Sequence, residues 1–455
     1  MYEFTFKILV KTGFSITALK AVYNTLNYRT KSYLSYSSKF SSFSKLTVKD
    51  LDLQGKRVFI RTDFNVPLDG KKIISNQRIL AALPTIKYVL ANNPRYIILA
   101  SHLGRPNSER DVGLSLAPVS NELQKLLNKQ IIFANDCVGP EVETICRQSP
   151  HNSIILLENL RYYIEEEGFK KVNHEKIKAS KEDIEKFRCQ LSSLADLYIN
   201  DAFGTVHRPH SSIVGLNFPQ RAAGFLLAKE LVCFNKVLDN PKKPFLSILG
   251  GSKVADKIHL IDNLLDRIDL LIIGGGMAFT FKKILENMQI GDSIFDKHGA
   301  RIVPGLMNKA RSKGVKVILP TDFVIADSLL DSANIKIVSD KEGIPSGWKG
   351  VDIGPISRKL FADAMSKAKT IIWNGPPGVF EFSKFAVGTK SLLDEAVKSC
   401  KNGNTVIMAG GETSTIALKY GVSDKISHVS TGGGASLEIL EGKELPGITF
   451  LSENK

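Results

Sequence analysis

Residues 244–257 read PFLSILGGSKVADK, and this stretch contains the two signals that decide the fold. Its first part is a short, continuous apolar run, which is typical of a strand buried on both faces of a sheet. The run ends at two glycines, and a segment with helical spacing follows. A strand, a glycine-rich turn and a helix in this order predict one unit of a parallel α/β sheet.

Nine further apolar runs of this kind occur along the chain. The ten runs are RVFIRTD (57–63), RYIILAS (95–101), NSIILLEN (152–159), DLYIND (196–201), PFLSILGG (244–251), DLLIIGGG (269–276), VKVILPTD (315–322), TIIWNGP (370–376), TVIMAGG (405–411) and ISHVSTGG (426–433). Segments with helical spacing, such as Gln77–Ala91, lie between them. Strands that alternate with helices indicate parallel, right-handed βαβ units.

The most regular helical spacing of apolar residues covers Ala222–Leu238, near the middle of the chain. It stands between two sets of strand–helix units, so we expect it to join two domains that close on each other. The predicted fold class is α/β, with two doubly wound, Rossmann-like parallel-sheet domains joined by a helix and hinge. The predicted divisions are an N-terminal extension (1–46), an N-terminal domain (47–221), the joining helix (222–238), a C-terminal domain (239–430) and a C-terminal segment that returns to the hinge and the first domain (431–455).

The first 46 residues differ in composition from the rest. They contain seven basic residues and one acidic residue, are rich in serine and tyrosine, and contain no proline. This pattern resembles a transit peptide for an organelle such as a plastid or mitochondrion. The alternatives are an untargeted tail and an incorrectly assigned start. We therefore expect a cytoplasmic or an organellar location.

Length, composition and charge exclude several classes of protein. A chain of 455 residues is too long for one ordinary core, and 43% hydrophobic with 24% charged residues is normal for a globular protein. No apolar run reaches the roughly 18 residues that span a bilayer, so we expect no membrane partner. The net charge of +15 fits nucleic acid or small anionic substrates, but no long run of Lys and Arg occurs, so we expect no nucleic acid. The five cysteines are scattered, which argues against a disulfide framework.

Polar and basic residues follow the strands of the first half, at the ends where an open parallel sheet binds ligands. They are Asp63, Asn65, Arg78, His102, Arg105, Arg161 and Arg208. The planar guanidinium groups of four arginines suit carboxylate and phosphate groups. These residues predict a basic basin for a small ligand that carries several negative charges.

Glycine-rich junctions follow five strands of the second half, at residues 250–251, 274–276, 375–378, 410–411 and 432–434. One such junction is more simply a tight turn, but five predict a site for nucleotide phosphates, because glycine lets backbone N–H groups approach phosphate oxygens. Lys253 and Lys257 are expected at the start of a helix, one turn apart on one face. Neither a P-loop nor a G-x-G-x-x-G fingerprint occurs, so a P-loop ATPase and an NAD-dependent dehydrogenase are disfavoured.

Eight motifs, in this order and spacing, resemble the phosphoglycerate kinase family over about residues 47–450. They are RTDFNVPL, SHLGRP, LLENLRYYIEEEG, NDAFGTVHRPHSS, GGSKVADKI, GGGMAFTF, WNGPPGVFEF and HVSTGGGASLE. The resemblance implies reversible phosphoryl transfer from 1,3-bisphosphoglycerate to ADP, which gives 3-phosphoglycerate and ATP. This is a step of glycolysis or, in reverse, of gluconeogenesis or carbon fixation. The resemblance also implies Mg²⁺ as cofactor and a monomeric enzyme.

The resemblance assigns roles to both groups of residues. The seven residues of the basic basin would hold the phosphoglycerate. The nucleotide would contact Lys257, Gly275, Gly276, Gly350, Asn374, Glu381, Gly410, Gly411, Glu412 and Thr413, with Gly350 at the base and Glu381 at the ribose. The transferring phosphoryl group would meet Arg78, Lys253, Gly432, Gly433 and Gly434.

One departure from the family pattern concerns the metal. Glu412, the expected Mg²⁺ ligand, stands where the family usually has Asp, and Ala409 replaces a common Gly shortly before it. Because Mg²⁺ demands tight octahedral geometry, the longer side chain predicts weaker metal coupling in an active enzyme. The alternative is a non-enzymatic, basic binding protein on the same fold. The retained basin residues and both lysines argue against that alternative.

Overall fold

The computed structural model describes residues 44–454 of the chain. The predictions about the N-terminal extension therefore lie outside the described residues, except for the last three positions of the extension. Among the described residues, no helix is both long enough and apolar enough to cross a membrane.

The first half of the described chain forms a six-stranded parallel sheet and two small hairpins. The strands are β1 (Arg57–Thr62), β2 (Leu68–Asp69), β3 (Lys72–Ile73), β4 (Tyr96–Ala100), β5 (Ile131–Phe133), β6 (Ser153–Leu156), β7 (Phe169–Val172), β8 (Glu175–Lys178), β9 (Leu197–Asp201) and β10 (Arg221–Ala223). The sheet has the order β10-β9-β1-β4-β6-β5, and every neighbouring pair is parallel. The pairs β2–β3 and β7–β8 are antiparallel hairpins.

Helices cover both faces of this sheet. They are α1 (Gln77–Ala91), α2 (Ala117–Leu127), α3 (Pro140–Gln148), α4 (Ile164–Glu167), α5 (Lys181–Ser193) and α6 (Phe225–Leu238). Strand β1 lies between two cores, because Val58 and Ile60 belong to one hydrophobic cluster and Phe59 belongs to another. Burial on both sides explains why the sheet strands appear in the sequence as continuous apolar runs.

Helix α6 begins at Phe225, three residues after the predicted start at Ala222. Residues 221–223 instead form the edge strand β10, which pairs with β9, and the extended Gly224 separates strand from helix. Alanine favours helices, so the pattern alone extended the helix over Ala222 and Ala223. The domain limits given above remain predictions.

The second half forms another six-stranded parallel sheet. Its strands, together with those of a smaller sheet, are β11 (Phe245–Leu249), β12 (Leu270–Ile273), β13 (Lys316–Ile318), β14 (Asp322–Ala326), β15 (Ile335–Ser339), β16 (Lys349–Ile353), β17 (Thr370–Asn374), β18 (Thr405–Met408) and β19 (His428–Val429). The large sheet has the order β13-β12-β11-β17-β18-β19. This order reverses direction between β11 and β17, as in a Rossmann fold, so a ligand crevice is expected at the carboxyl ends of these two strands.

The helices of the second half are α7 (Ile258–Leu265), α8 (Gly275–Glu286), α9 (Lys297–Ser312), α10 (Pro355–Lys367), α11 (Val387–Lys401), α12 (Gly411–Lys419), α13 (Gly434–Leu440) and α14 (Pro446–Thr449). The three-stranded antiparallel sheet β15-β14-β16 was not predicted from the sequence. Its strand β15 exposes Ile335 and Ile337, and β16 contains a glycine, so neither resembles a buried strand. The predicted fold class, with two Rossmann-like parallel sheets, is confirmed.

The C-terminal residues return to the first half. The N–H of Gly447 donates to the carbonyl of Val206 at 2.8 Å, and the N–H of Ser452 donates to the carbonyl of Arg221 at 2.9 Å. The carbonyl of Ser452 accepts from the N–H of Leu46 at 2.8 Å. The two ends of the described chain therefore meet beside β10.

Candidate active site

The residues of the basic basin occupy the loops at one edge of the first sheet. Asp63 and Asn65 follow β1, His102 and Arg105 follow β4, and Arg161 follows β6. Arg208 follows β9, and Arg78 is the second residue of helix α1. These strands are neighbours or near neighbours, and parallel strands end at the same edge, so the sheet brings these loops together.

Hydrogen bonds fix several of these side chains in place. Asp63 is 5% exposed and accepts a hydrogen bond from Nη1 of Arg78. Asn65 Oδ1 accepts from the N–H of Gly104 at 2.9 Å, and Nη1 of Arg161 donates to the carbonyl of Gly104 at 2.7 Å. Asp63 therefore orients Arg78, while Asn65 and Arg161 hold the loop that contains Arg105.

Two arginines of the basin have no acidic partner among residues 44–454. Arg105 and Arg208 are exposed, and neither forms an ion pair within the described residues. Burial lowers the pKa of His207 to about 4, and burial together with the charge of Arg161 lowers that of His210 to about 3. The histidines are therefore neutral near pH 7, and the arginines supply the charge for an anionic ligand.

The glycine loops of the second sheet meet at the carboxyl ends of β11 and β17. A methyl group on Gly250 would lie 2.0 Å from the carbonyl oxygen of Pro376, and one on Gly410 would lie 2.5 Å from Nδ2 of Asn374. Gly410 also has φ of +97°, which favours glycine. These positions require glycine because the loops approach each other closely.

Lys257 and Asn374 connect two of these loops. Nζ of Lys257 donates to the carbonyl of Gly250, and to the carbonyl and Oδ1 of Asn374 at 3.0 and 2.6 Å. Burial lowers the pKa of Lys257 to about 8, although the negative charges of Glu412 and Asp256 oppose this effect. A phosphate group nearby would raise this pKa and favour the charged ammonium group.

Lys253 does not lie on a helix with Lys257. It is exposed, in the loop after β11, and α7 begins only at Ile258, after a 3₁₀ turn over Ala255–Lys257. The prediction that both lysines share one helical face is therefore wrong. The physical reason is the turn at Gly251, where φ is +117° and the chain continues as a loop.

A cleft next to the glycine loops has polar and apolar walls. It is lined by Gly251, Gly275 and Gly276, by Phe279, Val351 and Phe380, and by Gly350, Glu381 and Glu412. A methyl group on Gly350 would lie 2.0 Å from Cζ of Phe279. A flat apolar slot with glycines at one end and carboxylates at its rim matches the shape and chemistry of a nucleotide.

Thr413 holds the Gly375 loop beside the cleft. Its side chain is fully buried, and its hydroxyl accepts a hydrogen bond from the N–H of Gly375 at 2.8 Å. The neighbouring Gly411 has open space around it. Helix α12 therefore offers backbone N–H groups at its first turn, while the hydroxyl of Thr413 is engaged with the Gly375 loop.

Glu412 is the predicted metal ligand, and it is exposed in the first turn of α12 at the edge of the cleft. No group of three metal-binding side chains occurs in residues 44–454. Mg²⁺ is often bound by one or two carboxylates, with substrate phosphates and water completing its coordination. The residues therefore fit an Mg²⁺ ion that arrives with a nucleotide, and they do not form a complete metal site.

The last glycine-rich junction, Gly432–Gly434, lies against the first half of the structure. A methyl group on Gly432 would lie 2.3 Å from Cε1 of Phe203, and one on Gly434 would lie 3.1 Å from Nε2 of His207. His207 directly precedes Arg208 of the basic basin. The fold thus places a glycine loop of the second half beside the basin of the first half.

Sequence reasoning missed a set of buried polar residues beneath the basin. Arg61, Glu166, His210 and Ser212 are each less than a tenth exposed. All four lie within the motifs quoted above. The motifs therefore pointed to these segments, but not to the burial of these four side chains. The distinction between a buried and an exposed charge is not visible in the residue type.

Comparisons with known proteins agree with this geometry. The model of the phosphoglycerate kinase family matches residues 48–443. Phosphoglycerate kinase of Saccharomyces cerevisiae is 72% identical over 412 residues, which cover 90% of this chain and 99% of the yeast protein. The enzyme of Candida albicans is 64% identical over 410 residues, which cover 90% of this chain and 98% of that protein. The solved structure of phosphoglycerate kinase from Coxiella burnetii aligns with a TM-score of 0.77 at 36% identity, over 89% of this chain and 98% of that one. The chain therefore belongs to the phosphoglycerate kinase family and is a phosphotransferase of glycolysis.

Proposed function

We propose that the basic basin binds the phosphoglycerate substrate of the kinase reaction. The observation that supports this proposal is that Arg105 and Arg208, at the edge of the first sheet, are exposed and form no ion pair with the residues that the structure describes. Around them Arg78 and Arg161 are already held by Asp63 and the Gly104 carbonyl. The proposed ligand set is Asp63, Asn65, Arg78, His102, Arg105, Arg161 and Arg208. Several guanidinium groups suit one phosphate and one carboxylate on a three-carbon acid.

The nucleotide is proposed to lie in the cleft of the second half. Gly350 and the ring of Phe279 would contact the base, Glu381 at the rim would accept hydrogen bonds from the ribose, and Lys257 would meet the phosphates. The backbone at Gly275, Gly276, Gly410, Gly411, Glu412 and Thr413 would complete the site, with Asn374 holding Lys257. Helix N-termini and glycine loops favour anions, which supports phosphate at this end of the cleft.

Phosphoryl transfer between the two sites depends on positioning and on neutralising charge. We propose that Arg78 and Lys253 contact the transferring phosphoryl group, together with backbone N–H groups at Gly432, Gly433 and Gly434. The acceptor oxygen of ADP is already ionised, so making ATP needs no general base. Mg²⁺, held by Glu412 and the nucleotide phosphates, would supply further charge neutralisation.

The basin and the cleft lie on different sheets, so the account includes closure of two domains about helix α6. Closure would bring the two substrates together and exclude water. The proposed limits are those predicted from the sequence, with the joining helix beginning at Phe225. We also propose that the enzyme acts as a monomer, as the family resemblance implies, and that residues 1–46 direct it to an organelle.

A coupled assay tests this assignment. The purified chain should form ATP from 1,3-bisphosphoglycerate and ADP, with a requirement for Mg²⁺. Arg161→Ala should raise the KM for phosphoglycerate at least about tenfold, because it removes a charge-assisted hydrogen bond to the anion. The control is Arg147→Ala, an exposed arginine on helix α3. An unchanged KM in Arg161→Ala would refute the placement of the substrate in the basin.

A further inference from the structure

A buried, charged cluster lies beneath the basic basin and has no part in the function proposed above. Arg61, on β1, and Ser212 are fully buried, and Glu166, on α4, is 1% exposed. Burial of an arginine and a carboxylate is costly unless the two are paired and hydrogen-bonded. The hydrogen bonds within this cluster therefore show how its buried charges are stabilised.

These hydrogen bonds run in a fixed direction. Arginine has only donors, so Nε of Arg61 donates to Oγ of Ser212, at 2.7 Å. The hydroxyl of Ser212 then donates to Oε1 of Glu166 at 2.6 Å, and the Ser212 N–H donates to Oε2 at 3.0 Å. Nη2 of Arg61 is also 3.8 Å from Oε1 of Glu166. Glu166 and Ser212 therefore hold the guanidinium group in one orientation.

The same guanidinium group contacts the ring of His102. Nη2 of Arg61 lies 3.4 Å from Nδ1 of His102. Because Arg61 can only donate, Nδ1 must be the acceptor, and a neutral ring without a proton on Nδ1 carries it on Nε2. No described residue forms a hydrogen bond with Nε2 of His102. That N–H group is therefore available to a ligand.

The surroundings of His102 keep its ring neutral. Burial has the largest effect and lowers the pKa well below the usual value, and the charges of Arg61 and Arg161 lower it further. His210 and Arg78 act in the same direction with smaller effects. Near pH 7, His102 is thus an uncharged hydrogen-bond donor among arginines that supply the charge.

We propose that Arg61, held by Ser212 and Glu166, is a positioning residue that presents His102 to phosphoglycerate as an Nε2–H donor. This inference rests on the role of His102 in the proposed function. Arg61 itself touches no substrate. Because a fixed donor binds the anion in the ground state and the transition state alike, its loss affects KM more than kcat.

Nitrogen-15 NMR of the full chain, labelled at histidine, reports the tautomer of His102 directly. The spectrum of His102→Gln assigns its resonances, and the exposed ring of His151 serves as a reference within each spectrum. In the parent chain we expect a protonated Nε2 and an unprotonated Nδ1 from about pH 6 to about pH 8. The double variant Arg61→Met/Glu166→Gln removes both buried charges together, which avoids leaving one of them unpaired. In this variant, His102 should show a mixture of tautomers, while burial and Arg161 should still keep its pKa low.

Kinetics provide the second readout. At about pH 8 the double variant should raise the KM for 3-phosphoglycerate about threefold, because only part of the His102 population then carries the proton on Nε2. At about pH 6 the increase should be about the same, because burial still keeps the His102 ring neutral. The kcat should stay within about twofold of the parent at both pH values. Ser212→Ala leaves both charges in place and should show part of the same tautomer shift, so it tests the inference even if the double variant folds poorly.

Two outcomes are distinguished by this design. A proton on Nδ1 of His102 in the parent, or an unchanged tautomer in the variants, would overturn the positioning role of Arg61. A changed tautomer with an unchanged KM at both pH values would instead remove His102 from the phosphoglycerate site, and would thereby contradict the proposed function.

Discussion

Glu230 on helix α6 and His428 on strand β19 form a buried ion pair, with 2.5 Å between Oε2 and Nε2. The other carboxylate oxygen, Oε1, accepts hydrogen bonds from the backbone N–H and the hydroxyl of Thr431, at 2.7 and 2.8 Å. Thr431 directly precedes Gly432. One carboxylate on the helix between the two sheets therefore holds both the edge of the second sheet and the start of a proposed catalytic loop.

This pair predicts a specific dependence of stability on pH. Burial alone would lower the pKa of His428, but the charge of Glu230 raises it to about 9, above the value of about 6.5 for an unfolded histidine. The contribution of His428 is therefore complete below about pH 6.5 and is lost as the pH rises through about 9. We expect the free energy of unfolding to fall by on the order of 3 kcal/mol over this range. Urea unfolding curves at several pH values measure it.

Two histidine variants separate the effect of His428 from that of other titrating groups. His428→Gln should abolish most of the decrease between pH 6.5 and pH 9, because its side chain cannot titrate. His151→Gln, at an exposed position, should retain the decrease of the parent chain. A decrease of the same size in His428→Gln would mean that other groups cause it.

Arg78 is expected to act mainly on the chemical step. Arg78→Ala should lower kcat by at least about 100-fold, because it removes charge neutralisation that is strongest in the transition state. Its carboxylate partner Asp63 would also lose its hydrogen bond. Steady-state kinetics with saturating substrates measure the effect, with Arg147→Ala as the control. A kcat within about threefold of the parent would show that Arg78 does not meet the transferring group.

The sequence predicts the strands of this fold well where they are buried on both faces. All ten apolar runs contain strands of the two large sheets, because a parallel strand covered by helices must be continuously apolar. The runs did not include β5, which has three residues, or β15, whose isoleucines are exposed. Strands of this kind are stabilised by neighbours that are remote in sequence, so their own residues carry a weak signal.

The candidate site likewise has features that the sequence predicts and features that it does not. Residues at strand ends could be assigned to two groups because parallel strands end together at one edge. The link from Lys257 to Asn374 could not be inferred, since it depends on β11 and β17 being neighbours although more than 100 residues separate them. The inward position of Arg61 and Glu166 could not be inferred either, because a buried charge is recognised by its partners and not by its residue type.

Glu412 is expected to weaken the coupling of Mg²⁺ to the reaction. Glu412→Asp restores the shorter side chain and should lower the Mg²⁺ concentration for half-maximal rate by about fivefold, because octahedral geometry favours a close carboxylate. Glu412→Ala should be much worse than the parent, since it removes the protein anion from the metal–phosphate cluster. Titration of Mg²⁺ against initial rate at fixed nucleotide measures both. If the parent needs no more Mg²⁺ than the Asp variant, the longer side chain of Glu412 does not weaken the coupling of the metal.

The N-terminal extension can be removed only up to a defined point. Deletion of residues 1–43 should leave activity within about twofold of the parent, since Lys45 and the hydrogen bonds described for it are retained. Deletion of residues 1–46 also removes Leu46, whose N–H and carbonyl bond to Ser452 and Ala223, and should lower the thermal midpoint. In cells, loss of residues 1–43 should move the protein to the cytosol. An identical cellular distribution of both forms would argue against a targeting role.

The most direct test of the two-site account is calorimetric binding of each substrate to two matched variants. Arg208→Gln removes an exposed positive charge from the basin, and Gly350→Ala places a methyl group against Phe279 in the cleft. Gly305→Ala, in open space on helix α9, is the control for the second change. The account predicts that Arg208→Gln weakens 3-phosphoglycerate binding at least about tenfold and leaves the Kd for ADP within about twofold, and that Gly350→Ala does the reverse. If either substitution weakens both ligands equally, or weakens the opposite one, the assignment of the two substrates to the two sheets is contradicted.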